Sequence, residues 1–211
     1  KTRPDVAYFA SALASTLNKS KGWALTLAKQ VLRYLVGTRT VGLKYHKGAG
    51  FDFKIYADAS WGDNWQDDGR STSGYLIMRA GAVICASSKF QSTVAQSTME
   101  SETIAANACV KQLVWLQQLA SEVHLEITRP LTIFEDSQSC ITFTNGTKQN
   151  SRAKHIALPY FYVQEKVADG TVKFVYCPTS DMVADVLTKP LPPQDFIRHR
   201  EAMGIVNVPA S

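Results

Sequence analysis

The sequence predicts a mixed α/β domain, a five-stranded sheet flanked by helices, with a helical hairpin in front of it. Three observations carry that prediction. Residues 51–88 hold three β-rich runs separated by turn residues. Residues 98–123 keep helical spacing throughout. Two later apolar runs, 131–134 and 172–177, alternate with further helical stretches. Three antiparallel strands, then helix, strand, helices, strand and helix, build a mixed sheet with right-handed crossovers. At 211 residues, 45% hydrophobic and 19% charged, the chain holds enough apolar material for one sizeable core.

Residues 4–18 read as a helix, with Pro4 in its first turn and Val6, Phe9, Ala10, Leu13 and Leu17 at helical spacing. After a break at 18–22, a second helix covers 23–36. Its apolar stripe is Leu25, Ala28, Leu32 and Leu35, Lys29 and Arg33 lie one turn apart on its flank, and Gly37 stops it. Residues 43–46 are a short strand or a linker. The first sheet strand runs through Phe51, Phe53, Ile55 and Tyr56 into Ala57-Asp58-Ala59-Ser60-Trp61 and ends in a Gly/Asp/Asn-rich segment. Residues 72–79 and 82–88 form a hairpin around Ala80-Gly81. Strand 131–134 follows Pro130, and Ser137 opens a polar helix. Residues 155–167 are helical, with Pro159 near the beginning, and a helix over 180–188 is stopped by Pro190. Three regions follow: 1–46, a basic helical segment; 47–195, the main domain; and 196–211, a C-terminal tail that frays at its end.

Charge is spread unevenly. Residues 1–50 carry nine Lys/Arg against Asp5 alone, whereas the other 14 basic residues face 17 acidic ones. A basic segment joined to a slightly acidic body fits a polyanion at one end and clustered carboxylates at the other, although a solvated basic hairpin fits as well. The four cysteines lie far apart with no C-x-x-C, which argues against a zinc site or a disulfide framework and fits reduced thiols. No apolar run reaches membrane-spanning length and no signal peptide is visible, so no membrane partner is expected. The start at Lys1 rather than Met fits a piece of something larger.

Four acids stand out. Asp58 lies in a core strand, where a carboxylate is costly unless a cation neutralises it. In Ser97-Thr98-Met99-Glu100-Ser101-Glu102, Glu100 completes a capping box with Ser97, but Glu102 shares its face with Ala105, Ala106, Cys109, Leu113 and Leu116. It therefore points inward or sits at the wet margin of the core. Asp136 ends a strand, where α/β sheets build sites, or caps the helix that follows. Glu135 should point to the opposite face. Asp185 lies in the helix over 180–188, whose cap Ser180 or Asp181 already supplies; a solvated face is its other reading. Four gathered acids repel one another unless cations sit among them, and oxygen-only ligands favour two Mg²⁺ ions, with Mn²⁺ as a substitute. Such a pair serves phosphodiester hydrolysis.

These residues resemble a family. Tyr56-Ala57-Asp58-Ala59-Ser60-Trp61, Asp67-Asp68-Gly69-Arg70-Ser71-Thr72-Ser73-Gly74-Tyr75 and Ser87-Ser88-Lys89-Phe90-Gln91 match in order. So do residues 97–102, Glu135-Asp136-Ser137-Gln138-Ser139, Ser151-Arg152-Ala153-Lys154-His155-Ile156 and Ala184-Asp185-Val186-Leu187-Thr188-Lys189-Pro190-Leu191-Pro192. Arg3-Pro4-Asp5-Val6-Ala7 and residues 31–38 are similar too. Over nearly its whole length the chain resembles the ribonuclease H region of reverse transcriptases from Ty1/copia-type LTR retrotransposons.

The resemblance implies an RNase H-like fold that cuts the RNA strand of RNA/DNA hybrids, with Asp58, Glu102, Asp136 and Asp185 as metal-holding catalytic acids. It implies that residues 1–46 end a polymerase portion acting in cis, as thumb helices whose basic face, Lys29 and Arg33 included, holds the hybrid. It places the activity in the cytoplasm, in a virus-like particle, with the nucleus as the other compartment. Expected backbone contacts are Arg70, Ser71, Thr72, Ser88, Lys89, Gln91, Arg152 and Lys154, with His155 as a helper or a structural residue. Trp61 and Trp65 are open to stacking or to rim packing. The chain departs from the family pattern at Ala157, Ser137 and Thr103, and the loop before Asp185 lacks a histidine. Two other readings remain. A non-catalytic hybrid-binding module gives four inward acids no purpose. A DNA-strand-transfer enzyme would need Glu165 and leave Glu102 and Asp185 unexplained.

Overall fold

The computed structural model describes residues 2–17, 22–48, 52–62, 69–146 and 157–208, with backbone alone for 157–159. Its centre is a five-stranded sheet of β2 (Lys54–Ser60), β3 (Thr72–Arg79), β4 (Ala82–Phe90), β5 (Leu131–Glu135) and β6 (Val172–Tyr176). The order is β4-β3-β2-β5-β6. The first three strands are antiparallel, and β5 and β6 join them parallel. This is the RNase H-like arrangement that the resemblance implied. Alternation along the strands makes two cores. Ile55, Ala57, Ile77, Leu131 and Ile133 pack beneath α3 (Thr98–Glu122), α4 (Gln138–Asn145) and α5 (Ala157–Ala168). Leu76, Met78 and Val83 pack on the other face against Met182, Val183, Val186 and Leu187.

α3 starts where its cap predicts. Ser97 Oγ accepts the Glu100 N–H at 3.2 Å, and the Glu100 carboxylate accepts the Gln96 N–H at 2.7 Å, one residue earlier than a standard capping box. Ala105, Ala106 and Cys109 bring the helix close to the sheet, and Val110 and Leu113 fill the core beyond them.

Four local expectations change. The first helix is a 3-10 turn, Pro4–Val6, followed by α1 (Ala7–Ser15). In α2 (Gly22–Gly37) the expected stripe is split: Leu25 is 65% and Leu32 61% exposed, Ala28 and Leu35 are half-buried, and Leu27, Val31 and Tyr34 face α1 and the C-terminal helix. The segment 180–188 is not an α-helix but two 3-10 turns, Thr179–Asp181 and Val183–Leu187, separated by an extended Met182. All five residues of the second turn are buried, which a segment lying flat between sheet and helices requires. Residues from 196 on are more than a tail. They continue α6 (Pro193–Ala202) into β7 (Ile205–Asn207), which pairs antiparallel with β1 (Val41–Leu43).

The N-terminal hairpin is tied to this body. Arg3 and Tyr34 both bond the buried Asp5, Tyr34 meets Phe196 of α6 edge-on at 5.6 Å, and the Pro4–Val6 turn packs against the Val183–Leu187 turn. Among the described residues, no helix is long and apolar enough to cross a membrane.

Candidate active site

Parallel pairing of β2 with β5 sets Tyr56 opposite Phe134, and the two rings lie 5.1 Å apart. Two residues further on, the same side of each strand carries Asp58 and Asp136. The two acids therefore share one position at the carboxyl ends of adjacent parallel strands, where α/β sheets open a crevice. Ser137, not Asp136, caps α4, since its hydroxyl accepts the Cys140 N–H at 3.2 Å. That excludes the capping alternative for Asp136 and gives the departure at Ser137 a purpose. Thr179 instead donates to Asp136 Oδ2 at 2.8 Å, fixing it to the loop after β6.

Glu102 reaches the same place from the first turns of α3. One carboxylate oxygen each from Asp58, Glu102 and Asp136 lie within 4.8 Å of one another. Asp58 is 2% and Glu102 3% exposed. Glu102 Oε2 finds no hydrogen-bond partner among the described residues. Burial first, and then the Asp185 carboxylate, push Asp58 up to about 7, while Lys189 and the Thr188 hydroxyl pull it down. Burial and neighbouring carboxylates also hold Glu102 well above its ordinary range. Buried acids with an orphaned oxygen and no other donor type fit a hard divalent cation such as Mg²⁺ or Mn²⁺.

Asp185 is brought to the group by a different route. Thr188 donates its hydroxyl to Asp58 Oδ2 and lies 3.3 Å from the Asp185 carbonyl oxygen. Lys189 Nζ pairs with Asp185 Oδ1 at 2.8 Å. Burial works against the Lys189 charge, yet the fields of Asp58, Asp185 and Asp136 raise it. Sequence reasoning assigned Thr188 and Lys189 no chemistry, although both lie in the stretch around Asp185.

It also passed over Gly74, register partner of Asp58 on β3. A Cβ there would lie 2.6 Å from Thr188 Cγ2 and 2.9 Å from Leu187 Cβ. A glycine inside a strand marks such an approach, and that signal was available. Gly74→Ala should push the Thr188 turn off Asp58, destabilise by about 2 kcal/mol and lower the melting temperature by about 5 °C. Thermal melts check this; an unchanged melting temperature would mean that the turn is not seated on the strand.

The expected nucleic-acid contacts divide. Ser71, Thr72, Ser88 and Gln91 are buried, so their side chains do not present a surface to a backbone. Ser71 Oγ accepts the Gly62 N–H, and Gln91 Nε2 donates to Ser73 Oγ at 2.8 Å and the Ser101 carbonyl at 2.9 Å. Gln91 thus ties the ends of β3 and β4 to the first turn of α3. Lys89, Lys29 and Arg33 are exposed and Arg70 half-buried. Trp61 donates to the Ala95 carbonyl at 3.0 Å with half its surface open. Arg152, Lys154, His155 and Trp65 lie outside the described residues. Thr103, another departure, is buried and bonds the Met99 carbonyl at 2.7 Å.

No protein-family model matches the chain. It is 32% identical, over its whole length, to the retrovirus-related Pol polyprotein from transposon RE1 of Arabidopsis thaliana, of which it covers 14%. It is 33% identical over 97% of its length to the corresponding polyprotein from transposon TNT 1-94 of Nicotiana tabacum, of which it covers 15%. The chain thus spans about a seventh of the length of these curated relatives. Among solved structures, an N-terminal RNase H domain from Mycobacterium tuberculosis aligns with a TM-score of 0.48 at 12% identity, covering 72% of this chain and 99% of that one.

Proposed function

This chain belongs to the Pol polyproteins of Ty1/copia-type LTR retrotransposons, and on that premise we propose that it is a metal-dependent endoribonuclease acting on RNA/DNA hybrids. The carrying observation is the convergence of Asp58, Glu102 and Asp136 within 4.8 Å, from a strand, a helix and a strand end. With Asp185 they would hold two Mg²⁺ ions, which Mn²⁺ can replace. When bound, such ions would supply activation of a water and charge stabilisation at the leaving oxygen of the RNA phosphodiester.

The chain's own groups prepare that site. Thr188 fixes the Asp58 carboxylate, Thr179 fixes Asp136, and Lys189 offsets the crowded negative charge. Lys89 near the end of β4 and Arg70 just before β3 would meet a hybrid's phosphates. Lys29 and Arg33 on α2 would grip it further away. Such contacts give salt-dependent, weakly sequence-specific affinity. Residues 1–46 would end a polymerase portion acting in cis, while also bracing the nuclease body.

End-labelled RNA/DNA hybrid in Mg²⁺ tests the reading. The expected result is RNA-strand cleavage leaving 3′-hydroxyl and 5′-phosphate ends, with duplex DNA untouched. Tight hybrid binding without cutting, in Mg²⁺ or Mn²⁺, would replace the nuclease with a non-catalytic binding module.

A further inference from the structure

Asp185 stands outside the 4.8 Å group of Asp58, Glu102 and Asp136, and the cation it meets is one of the chain's own. The Thr188 and Lys189 N–H groups both donate to the Asp185 carbonyl at 3.1 Å. The backbone thus closes after the Val183–Leu187 turn, and the Lys189 side chain folds back over the acid four residues before it. Nζ lies 2.8 Å from Asp185 Oδ1. That oxygen is buried, and no aligned hydrogen bond reaches it among the described residues, so the contact is one of charge. The lysine side chain is 35% exposed and the acid 7%, which makes the lysine the more open partner. Burial works against its charge, yet the fields of Asp58, Asp185 and Asp136 hold it. Lys189 in turn is the cation that acts on both Asp58 and Asp185.

A carboxylate oxygen held by charge alone takes whichever cation binds it better. An ammonium is a single charge on a flexible four-carbon stem, free to swing away. A divalent ion carries twice the charge and would coordinate the oxygen directly. The two cannot share Oδ1, because like charges about 4 Å apart repel even in water. The three-acid group can therefore take a first ion with Lys189 in place. A second ion, which needs Asp185, reaches Oδ1 only by moving the ammonium off it.

We propose that Lys189 is a positioning residue that competes with the second divalent ion for Asp185. It holds the fourth acid in place until an ion displaces its ammonium, and so makes the second ion bind more weakly than the first. This rests on the nuclease reading above. Ion loading is then sequential, the three-acid group first and Asp185 second. The contact that keeps Asp185 ordered is also the one that delays its use.

Mn²⁺ titration by electron paramagnetic resonance on the full chain, with thermal melts in EDTA and in saturating Mn²⁺, tests this in Lys189→Met and Lys189→Arg. Methionine keeps an unbranched stem and removes the charge. The weaker class of Mn²⁺ sites should tighten by about tenfold in Lys189→Met, or become measurable where wild type shows one class alone. A lysine that merely supported the turn would have the opposite effect, since its loss would loosen the site. In EDTA the melting temperature of Lys189→Met should fall by about 4 °C, because the buried acids lose their cation, and in saturating Mn²⁺ it should return to within about 1 °C of wild type. Arginine keeps the charge and should leave the weaker class within about threefold of wild type. A weaker class that is unchanged or loosened in Lys189→Met, or a melting deficit that persists in Mn²⁺, overturns the proposal while leaving the nuclease reading intact. A wild-type chain that binds no Mn²⁺ at all overturns both.

Discussion

Asp58→Asn will reduce hybrid cleavage by at least about a thousandfold, since the ion-held chemistry it removes is worth several kcal/mol. The change is nearly isosteric, and the Thr188 hydroxyl, which bonds Asp58 Oδ2, still finds an acceptor in the amide. Folding is therefore kept while the charge at the centre of the group is lost. Stability should move in the opposite direction. In the metal-free protein, burial and Asp185 hold Asp58 up at about 7, so between the ordinary carboxylate range and neutrality the folded chain keeps a proton that the unfolded chain has released. Folded protein then binds more protons, and stability falls as pH rises from about 4 to about 7. Asp58→Asn should flatten that decline, and divalent ions should stabilise wild type more at pH 8 than at pH 5.5. Melting temperatures against pH, in EDTA and in Mg²⁺, read both effects. A variant that still cuts, or a wild-type slope of the reverse sign, would remove Asp58 from the centre of the site.

Three of the four acids were legible because each broke a local pattern. Asp58 interrupts a buried strand, Glu102 interrupts the apolar face of α3, and Asp136 stands where a strand ends. Asp185 lacked such a signal: its helix is two 3-10 turns, and its place depends on Thr188, Lys189 and the absent side chain of Gly74. Glu135 was legible as turning away from Asp136, since Leu131, Ile133 and Glu135 are successive members of one buried face. α2 misled for a different reason. It has apolar residues on two sides, and only packing decides that Leu27, Val31 and Tyr34 turn inward while Leu25, Leu32 and Val36 stay outside. β1 and β7 have three residues each and pair across the length of the chain, beyond what local patterns can reveal. α6 did carry signals: Pro193 in its first turn with Asp195, and Arg200 in its last, which suits the helix dipole.

Asp5→Ala should destabilise the fold by about 3 kcal/mol, or about 9 °C in melting temperature. Asp5 is fully buried and accepts three bonds: Arg3 Nε at 3.0 Å, Arg3 Nη2 at 2.8 Å and the Tyr34 hydroxyl at 2.6 Å. Arg3 also holds Thr38 at the end of α2, through its hydroxyl at 2.8 Å and its carbonyl at 3.1 Å. Tyr34 accepts from Arg200 of α6 at 3.4 Å. Removing the carboxylate leaves a mostly buried guanidinium without its anion and a tyrosine hydroxyl without its acceptor, and an unpaired buried charge costs more than a lost contact. Apolar packing cannot take over here. Between α1, α2 and α6 the chain leaves a groove of about 420 Å³ lined by Val6, Phe9, Leu27, Val31 and Phe196, so the polar network carries much of the attachment. The loss should extend to the nuclease site, because the Pro4–Val6 turn packs on the Val183–Leu187 turn that presents Asp185. Asp5→Asn, which keeps one acceptor for Tyr34, should fall between wild type and Asp5→Ala. Thermal melts with hybrid cleavage at a temperature where both variants remain folded separate the two consequences. A melting temperature within about 1 °C of wild type would show the helical hairpin to be an independent appendage rather than a brace for the fourth acid.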